Sequence, residues 1–328
     1  MSTKIAILGA GSWGGTLAVL LAKSGHQVAL WSHDREKVIL IERSRKLLQP
    51  VAHDLPDGVT ISDDLSAALD AADLALICCK SQAMREVAGR LKKCGKLPVL
   101  VSAAKGLELH SNKRMSEVLL EVLPDAKVCS LSGPNLAPEI LQGLPSASVV
   151  ACEDEGAAEG VQQLLSTSMF RVYSSGDLVG VELGGTLKNV IAIAAGCSDG
   201  LNLGTNAKAA LLTRGLAEIA RLATALGAKP LTLAGLSGMG DLFATCTSAL
   251  SRNYRVGYEL AKGQKLDDIL AGLGGIAEGV TTAQAVCELS KSLEIELPIA
   301  EQVEALLSGK TTPKGAIMTL MTRPLASE

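Results

Sequence analysis

The chain has 328 residues, of which 48% are apolar, 20% charged and only 2% aromatic, with a formal charge of −3. That balance excludes a disordered chain and a basic nucleic-acid binder, and the length allows about two domains built on aliphatic cores. The eight cysteines form no CxxC pair, and several lie inside apolar runs such as Leu76-Ile77-Cys78-Cys79. They read as reduced core thiols of a cytoplasmic protein, not as a disulfide frame or zinc site, so no metal is expected. The opening "MSTKIAILGAG" reaches glycine too early for a secretory signal, and no run of about 18 uncharged apolar residues suits a bilayer. No membrane insertion is expected.

Taken in chain order, short apolar runs predict strands at 4–8, 27–31, 74–79, 99–103, 127–131, 147–151 and 170–173. Helical spacing falls between several of them, at 14–23, 82–91 and 113–123. Continuous apolar strands separated by helices predict an α/β fold, a Rossmann-type mostly parallel sheet covered on both faces. Beyond Asp177 the strand pattern stops, and helical spacing returns at 179–195, 206–226, 253–262, 282–292 and 299–307. The expected domains are therefore 1–177, a dinucleotide-binding unit, and 178–328, an all-α unit that binds substrate and carries the chemistry.

"KIAILGAGSWGGTLAVLLAKSG" sets Gly9, Gly11 and Gly14 in GxGxxG spacing between a strand and a helix. Gly9 permits the tight turn, Gly11 lets backbone approach a pyrophosphate, and Gly14 lets helix pack on strand. The helix N-terminus then faces the phosphates. The second strand ends in Trp31-Ser32-His33, with Asp34 and Arg35 beyond, so no acid stands at the tip to hold a ribose 2′-hydroxyl. NADP(H) is favoured over NAD(H), with His33 or Arg35 as contacts to a 2′-phosphate or as a solvated turn. Trp13 either shields the cofactor or packs on a neighbouring loop.

Other stretches interrupt the apolar pattern with chemistry. Lys105 in "SAAKGLE" and Gly133-Pro134 in "LSGPNLAPE" both follow strands, whose carboxyl ends line the ligand crevice of an open α/β sheet. In "LSGMGDLFATCTSALSRNYRVG", Asp241 lies among glycines, and Ser251 precedes Arg252-Asn253 as a helix cap where an anion could sit. Arg252 can grip a phosphate with two donors. "VELGGTLKNVIAIAAG" places Lys188 in a helix of small and apolar residues. Its neighbours Gly184, Gly185 and Ala192 either permit close helix packing or leave space for a ligand, and Lys188 either snorkels to water or serves as acid and base.

Together these stretches, with "IAEGVTT" near the end, resemble the bacterial type of NAD(P)-dependent glycerol-3-phosphate dehydrogenase over essentially the whole chain. The resemblance implies reversible hydride transfer between NAD(P)H and dihydroxyacetone phosphate, giving sn-glycerol 3-phosphate for phospholipid synthesis, in a cytoplasmic homodimer. It implies that Lys188 exchanges the proton at the substrate's secondary oxygen, that Lys105 contacts substrate and cofactor, and that Asp241 orients the Lys188 region. Ser251, Arg252 and Asn253 would bind substrate, Arg252 also lying near the cofactor, and Gly133, Asn135 and Ala137 would belong to a closing loop. Ser12, Trp13, His33, Ile276 and Glu278 match cofactor-binding positions. At 135–136 the family commonly has Thr or Ser then Phe, where this chain has Asn135-Leu136; Asn135 can still donate a hydrogen bond. On this reading the small residues clear a substrate-sized space beside Lys188, and desolvation together with Lys105 depresses the lysine's pKa. A β-hydroxyacid dehydrogenase is the nearest rival, though its usual Asn four residues after the lysine is here Ala192. A non-catalytic nucleotide sensor is the other alternative, disfavoured by the retained Lys105, Lys188, Asp241 and Arg252.

Overall fold

The computed structural model describes residues 3–325. Among the described residues ten strands form in chain order: β1 (Lys4–Leu8), β2 (Gln27–Trp31), β3 (Lys46–Leu47), β4 (His53–Asp54), β5 (Val59–Ser62), β6 (Leu74–Ile77), β7 (Val99–Ser102), β8 (Val128–Ser132), β9 (Ser146–Cys152) and β10 (Phe170–Ser175). Eight of them make one sheet in the order β10-β9-β8-β7-β6-β1-β2-β5, and β3-β4 is a separate antiparallel pair. From β5 to β8 every pairing is parallel, in the strand order of a doubly wound dinucleotide fold. β9 then runs antiparallel to β8 and carries β10 parallel to itself.

Helices α1 (Ser12–Lys23), α2 (Arg35–Ser44), α3 (Leu65–Leu69), α4 (Met84–Leu91), α5 (Met115–Val122), α6 (Ala137–Leu141) and α7 (Glu155–Leu165) connect these strands. Because strand side chains alternate, each strand feeds both layers. Ile5 and Ile7 of β1 join Leu17 and Leu21 of α1 and Val161 of α7 in one core cluster. Ala6 and Leu8 join Val87 and Leu91 of α4 and Val118 of α5 in the other. The edge strand β5, the β3-β4 pair and the reversal at β9 are additions to the expected pattern. A two-residue strand has no period to read, and strand direction is a property of the neighbour.

After β10 the chain is helical: α8 (Leu178–Gly200), α9 (Gly204–Ala225), α10 (Pro230–Leu233), a π turn at Leu236–Gly240, α11 (Asp241–Thr247), α12 (Arg252–Ala261), α13 (Leu266–Gly272), α14 (Glu278–Ser292), α15 (Pro298–Leu307) and α16 (Pro313–Met321). The chain divides into two units, Met1–Lys105 with Arg114–Glu182, and Gly106–Lys113 with Leu183–Glu328. The boundary thus falls inside α8, five residues after the break expected at 177, and segment 106–113 goes with the second unit. The shift has a physical cause. Glu182 is buried and accepts from Arg114 Nη1 at 2.7 Å, Ser116 N at 2.9 Å and Ser116 Oγ at 2.5 Å, which ties the first turn of α8 to the start of α5.

By length and composition α8 could cross a membrane, but 89% of its most apolar window is buried inside the protein. That is the signature of a core helix. Its glycines explain how it is buried. A methyl group at Gly196 would lie 1.9 Å from the Tyr254 carbonyl oxygen of α12, and one at Gly257 of α12 would lie 1.8 Å from the Ile193 carbonyl of α8. The two helices approach backbone to backbone.

Candidate active site

In the first unit the candidate residues follow the carboxyl ends of β1, β2, β7 and β8. Gly9 turns with φ +127°, and a side chain there would meet the Cys78 carbonyl at 2.7 Å. Gly14 sits so close above Gly9 that a Cβ would be 2.0 Å from the Gly9 oxygen. Gly11 differs: a methyl group there would meet no protein atom within 4 Å. It is also the N-cap of α1, with no capping side chain and no acid in the first turn. The first N–H groups of α1, from Ser12 and Trp13, are thus left for an anion. These features fit a dinucleotide pyrophosphate.

Trp13 packs on Phe170 of β10, ring centroids 6.5 Å apart. At the end of β2, His33 and Arg35 are exposed. Asp34 is the N-cap of α2 and accepts from Lys37 N at 3.0 Å, so its carboxylate is committed to the helix. Arg35 leans toward Asp63 at 3.8 Å while remaining largely solvated.

Lys105, three residues past β7, donates to the Gly133 carbonyl at 3.1 Å. Gly133 has φ +148°, and a Cβ there would strike the Ser148 Cα at 2.9 Å, so the loop after β8 requires glycine. Asn135 donates from Nδ2 to Ser148 Oγ at 2.9 Å, and Ser148 donates to the Ser132 carbonyl. One amide hydrogen of Asn135 is therefore already used within the protein, whereas Oδ1 is buried without a partner. Ala137 opens α6.

In the second unit Lys188 is only 6% exposed, which excludes the snorkelling alternative. Its Nζ donates to Asp241 Oδ1 and to Thr245 Oγ1, each at 2.5 Å, and Thr245 Oγ1 lies 3.3 Å from the same carboxylate oxygen. Asp241 and Thr245 are one turn apart on α11, so both face α8. The carboxylate is the charge partner that a buried lysine requires. Thr245 is a residue the sequence reading misses, because the seven-residue α11 is too short to show a period. The expected space beside Lys188 is corrected at one point: a methyl at Gly184 would lie 2.7 Å from the Ser237 carbonyl, so this glycine admits the π turn rather than a ligand.

Ser251 caps α12, accepting from Tyr254 N at 3.2 Å. Arg252 follows as the first helical residue, its guanidinium against Gly275, where a Cβ would come within 2.2 Å of Nη1. The surrounding chain desolvates the guanidinium and lowers its pKa, while Glu278 at the start of α14 pulls the other way. An arginine stays charged through such a shift. Asn253 donates to Asn189 Oδ1 at 2.8 Å and accepts from Gly279 N at 2.9 Å, locking α12 to α8 and α14. Asn189, beside Lys188, is the second member of the cluster that sequence did not single out. Ile276 and Glu278 are half-buried in the segment that abuts Arg252. Among the described residues no cluster of metal-ligating side chains forms.

Two family models cover the chain: the N-terminal part of NAD-dependent glycerol-3-phosphate dehydrogenase over residues 4–158 and its C-terminal part over 177–318. The chain belongs to the NAD-dependent glycerol-3-phosphate dehydrogenase family. Relatives named glycerol-3-phosphate dehydrogenase [NAD(P)+] include that of Geobacillus thermodenitrificans, 48% identical over 97% of this chain and 94% of its own. That of Syntrophotalea carbinolica is 47% identical over 99% of both. The crystal structure of glycerol-3-phosphate dehydrogenase from Coxiella burnetii superposes with a TM-score of 0.94 at 37% identity, covering 98% of this chain and 99% of that one. These glycerol-3-phosphate dehydrogenases match both the sheet unit and the helical unit.

Proposed function

We propose that the chain is an oxidoreductase interconverting dihydroxyacetone phosphate and sn-glycerol 3-phosphate with NAD(P)H. The observation that carries this reading is the buried Lys188–Asp241–Thr245 cluster in a chain whose relatives bear that enzyme's name. Bound NAD(P)H supplies the hydride to the substrate's carbonyl carbon. The Gly9–Gly14 turn and the first turn of α1 hold its pyrophosphate, and Ser12, Trp13, Ala137, Ile276 and Glu278 complete its surroundings. Lys188 donates the proton to the carbonyl oxygen in reduction and takes it back in oxidation, held in place by Asp241 and Thr245. Lys105, steadied on the Gly133 carbonyl, contacts both ligands. Arg252 grips the substrate phosphate, and Ser251, Asn253, Gly133 and Asn135 line the remainder. The side chain of Asn135 contributes its open Oδ1.

Asp34 is turned to its helix cap, and the exposed His33 and Arg35, the latter in a solvated pair with Asp63, stand at the end of β2 as contacts for a 2′-phosphate. This supports use of NADPH in preference to NADH. The product supplies the glycerol phosphate backbone for phospholipid synthesis, and the enzyme works as a cytoplasmic homodimer. The decisive measurement is kcat/KM for dihydroxyacetone phosphate with NADPH and with NADH, beside 3-hydroxyisobutyrate oxidation. Activity on the hydroxyacid alone would establish the β-hydroxyacid reading, and no oxidation of NADPH with dihydroxyacetone phosphate would return the protein to a nucleotide sensor.

A further inference from the structure

The strand order places a topological switch point between β1 and β6: the chain leaves β1 toward β2 on one side and reaches β6 on the other. Ligands of open α/β sheets bind in the crevice outside the carboxyl ends of the two strands at such a point. One lip is the Gly9–Gly14 turn. The other is Cys78-Cys79-Lys80, directly after β6. The two lips touch, since Cys78 N donates to the Leu8 carbonyl at 2.9 Å and a Cβ on Gly9 would meet Cys78 O at 2.7 Å and Cys79 N at 3.3 Å. Lys80 is exposed, and its backbone is fixed in an extended conformation as the residue preceding the helical turn Ser81–Ala83, with Ala83 N donating to its carbonyl at 3.0 Å.

We infer that Lys80 is an additional binding residue for the dinucleotide, its ammonium screening the pyrophosphate held at the opposite lip by the N-terminus of α1. The inference rests on the cofactor reading above and assigns Lys80 a part that the glycine motif does not contain. Backbone N–H groups on one lip supply directional donors. A lysine on the other supplies a mobile point charge that tolerates either nicotinamide nucleotide. Because the charge acts on the pyrophosphate common to both, it contributes affinity without contributing to the choice between NADH and NADPH.

The test is equilibrium binding by the full chain of NADH, NADPH and ADP-ribose, which shares the pyrophosphate but lacks nicotinamide. Lys80→Gln should weaken all three alike, by about three- to fivefold for an exposed charge–phosphate contact, and Lys80→Glu should weaken them further. Lys80→Arg should restore binding. The salt dependence of Kd should flatten in Lys80→Gln relative to the parent protein. Unchanged affinities in both the Gln and Glu variants, with unchanged thermal unfolding, overturn the inference. So does a loss confined to NADPH, which would place the lysine at the 2′-phosphate. Failure of the unmodified chain to bind any of the three ligands overturns the cofactor reading itself.

Discussion

Lys188 is held as an ion pair inside the second unit, and this makes its two roles separable. Replacing it by Ala removes the proposed proton donor and also leaves Asp241, 1% exposed, as a buried carboxylate without its cation. Breaking a buried pair from one side costs about 3–5 kcal/mol. Lys188→Ala should therefore lower kcat by about 10²- to 10⁴-fold and lower Tm as well. Adding Asp241→Asn should recover much of the Tm and none of the kcat. Recovery of turnover in the double variant would remove Lys188 from the chemistry. Thr245→Val keeps the shape of the side chain and deletes the hydroxyl that fixes Nζ. Hydrogen bonds to charged groups contribute about 1.5–3 kcal/mol, so kcat should fall by roughly tenfold or more, with nucleotide Kd unchanged. Thr245→Ser should retain activity.

At the scale of elements, the small residues of α8 divide by what faces them. Gly184 receives the π turn, Gly196 and Gly200 receive α12, and a methyl at Gly200 would lie 2.6 Å from the Ala261 Cβ. These contacts involve main chain as well as side chain, so the helices cannot yield by a rotamer change. Gly196→Ala should destabilise the protein by at least about 1–3 kcal/mol, the range for overpacked cores, read as a fall in urea midpoint. Gly89 in α4 is the control. A methyl there meets nothing within 4 Å, and Gly89→Ala should leave stability unchanged or raise it by about 0.5–1 kcal/mol through helix propensity. Equal losses at both positions would contradict the packing account.

For the whole molecule, pH acts through buried carboxylates. Glu218 of α9 is 6% exposed and accepts from Ile299 N at 2.8 Å and Ala300 N at 3.2 Å, at the start of α15. Burial pushes its pKa up from the ordinary 4.5 to about 7, and the two N–H donors only partly offset this. Burial raises Glu182 in the same direction, with Arg114 opposing. A carboxyl whose folded pKa is raised holds its proton in the folded state over a range where the unfolded chain has lost it. The stability it contributes is complete below about pH 4.5 and is lost as pH rises to about 7. Glu218→Gln keeps an acceptor for the helix start and removes the titration. Urea unfolding across this window should show a smaller decline in the variant than in the parent, and identical profiles would exclude Glu218 as a contributor.

The local features of this protein were legible in the sequence because local physics produces them. The strands β1, β2, β6, β7 and β8, the glycine turn before α1 and the start of α8 after Asp177 follow from apolar period, turn chemistry and capping within a few residues. Lys188 stood out as a charge in an apolar helix, and Arg252 as a cation after a capping serine. Their surroundings were not legible. Thr245 lies 57 residues from Lys188 in the chain, and Asn189 meets Asn253 from 64 residues away. Asn135 spends a donor on Ser148 of the next strand, and the antiparallel turn of β9 depends on which edge β8 offers. Sequence alone determined the classes of element and the unusual residues they carry. Tertiary structure decided which small residues are filled by backbone and which charges are paired, because a partner's identity depends on chain segments brought together only by folding.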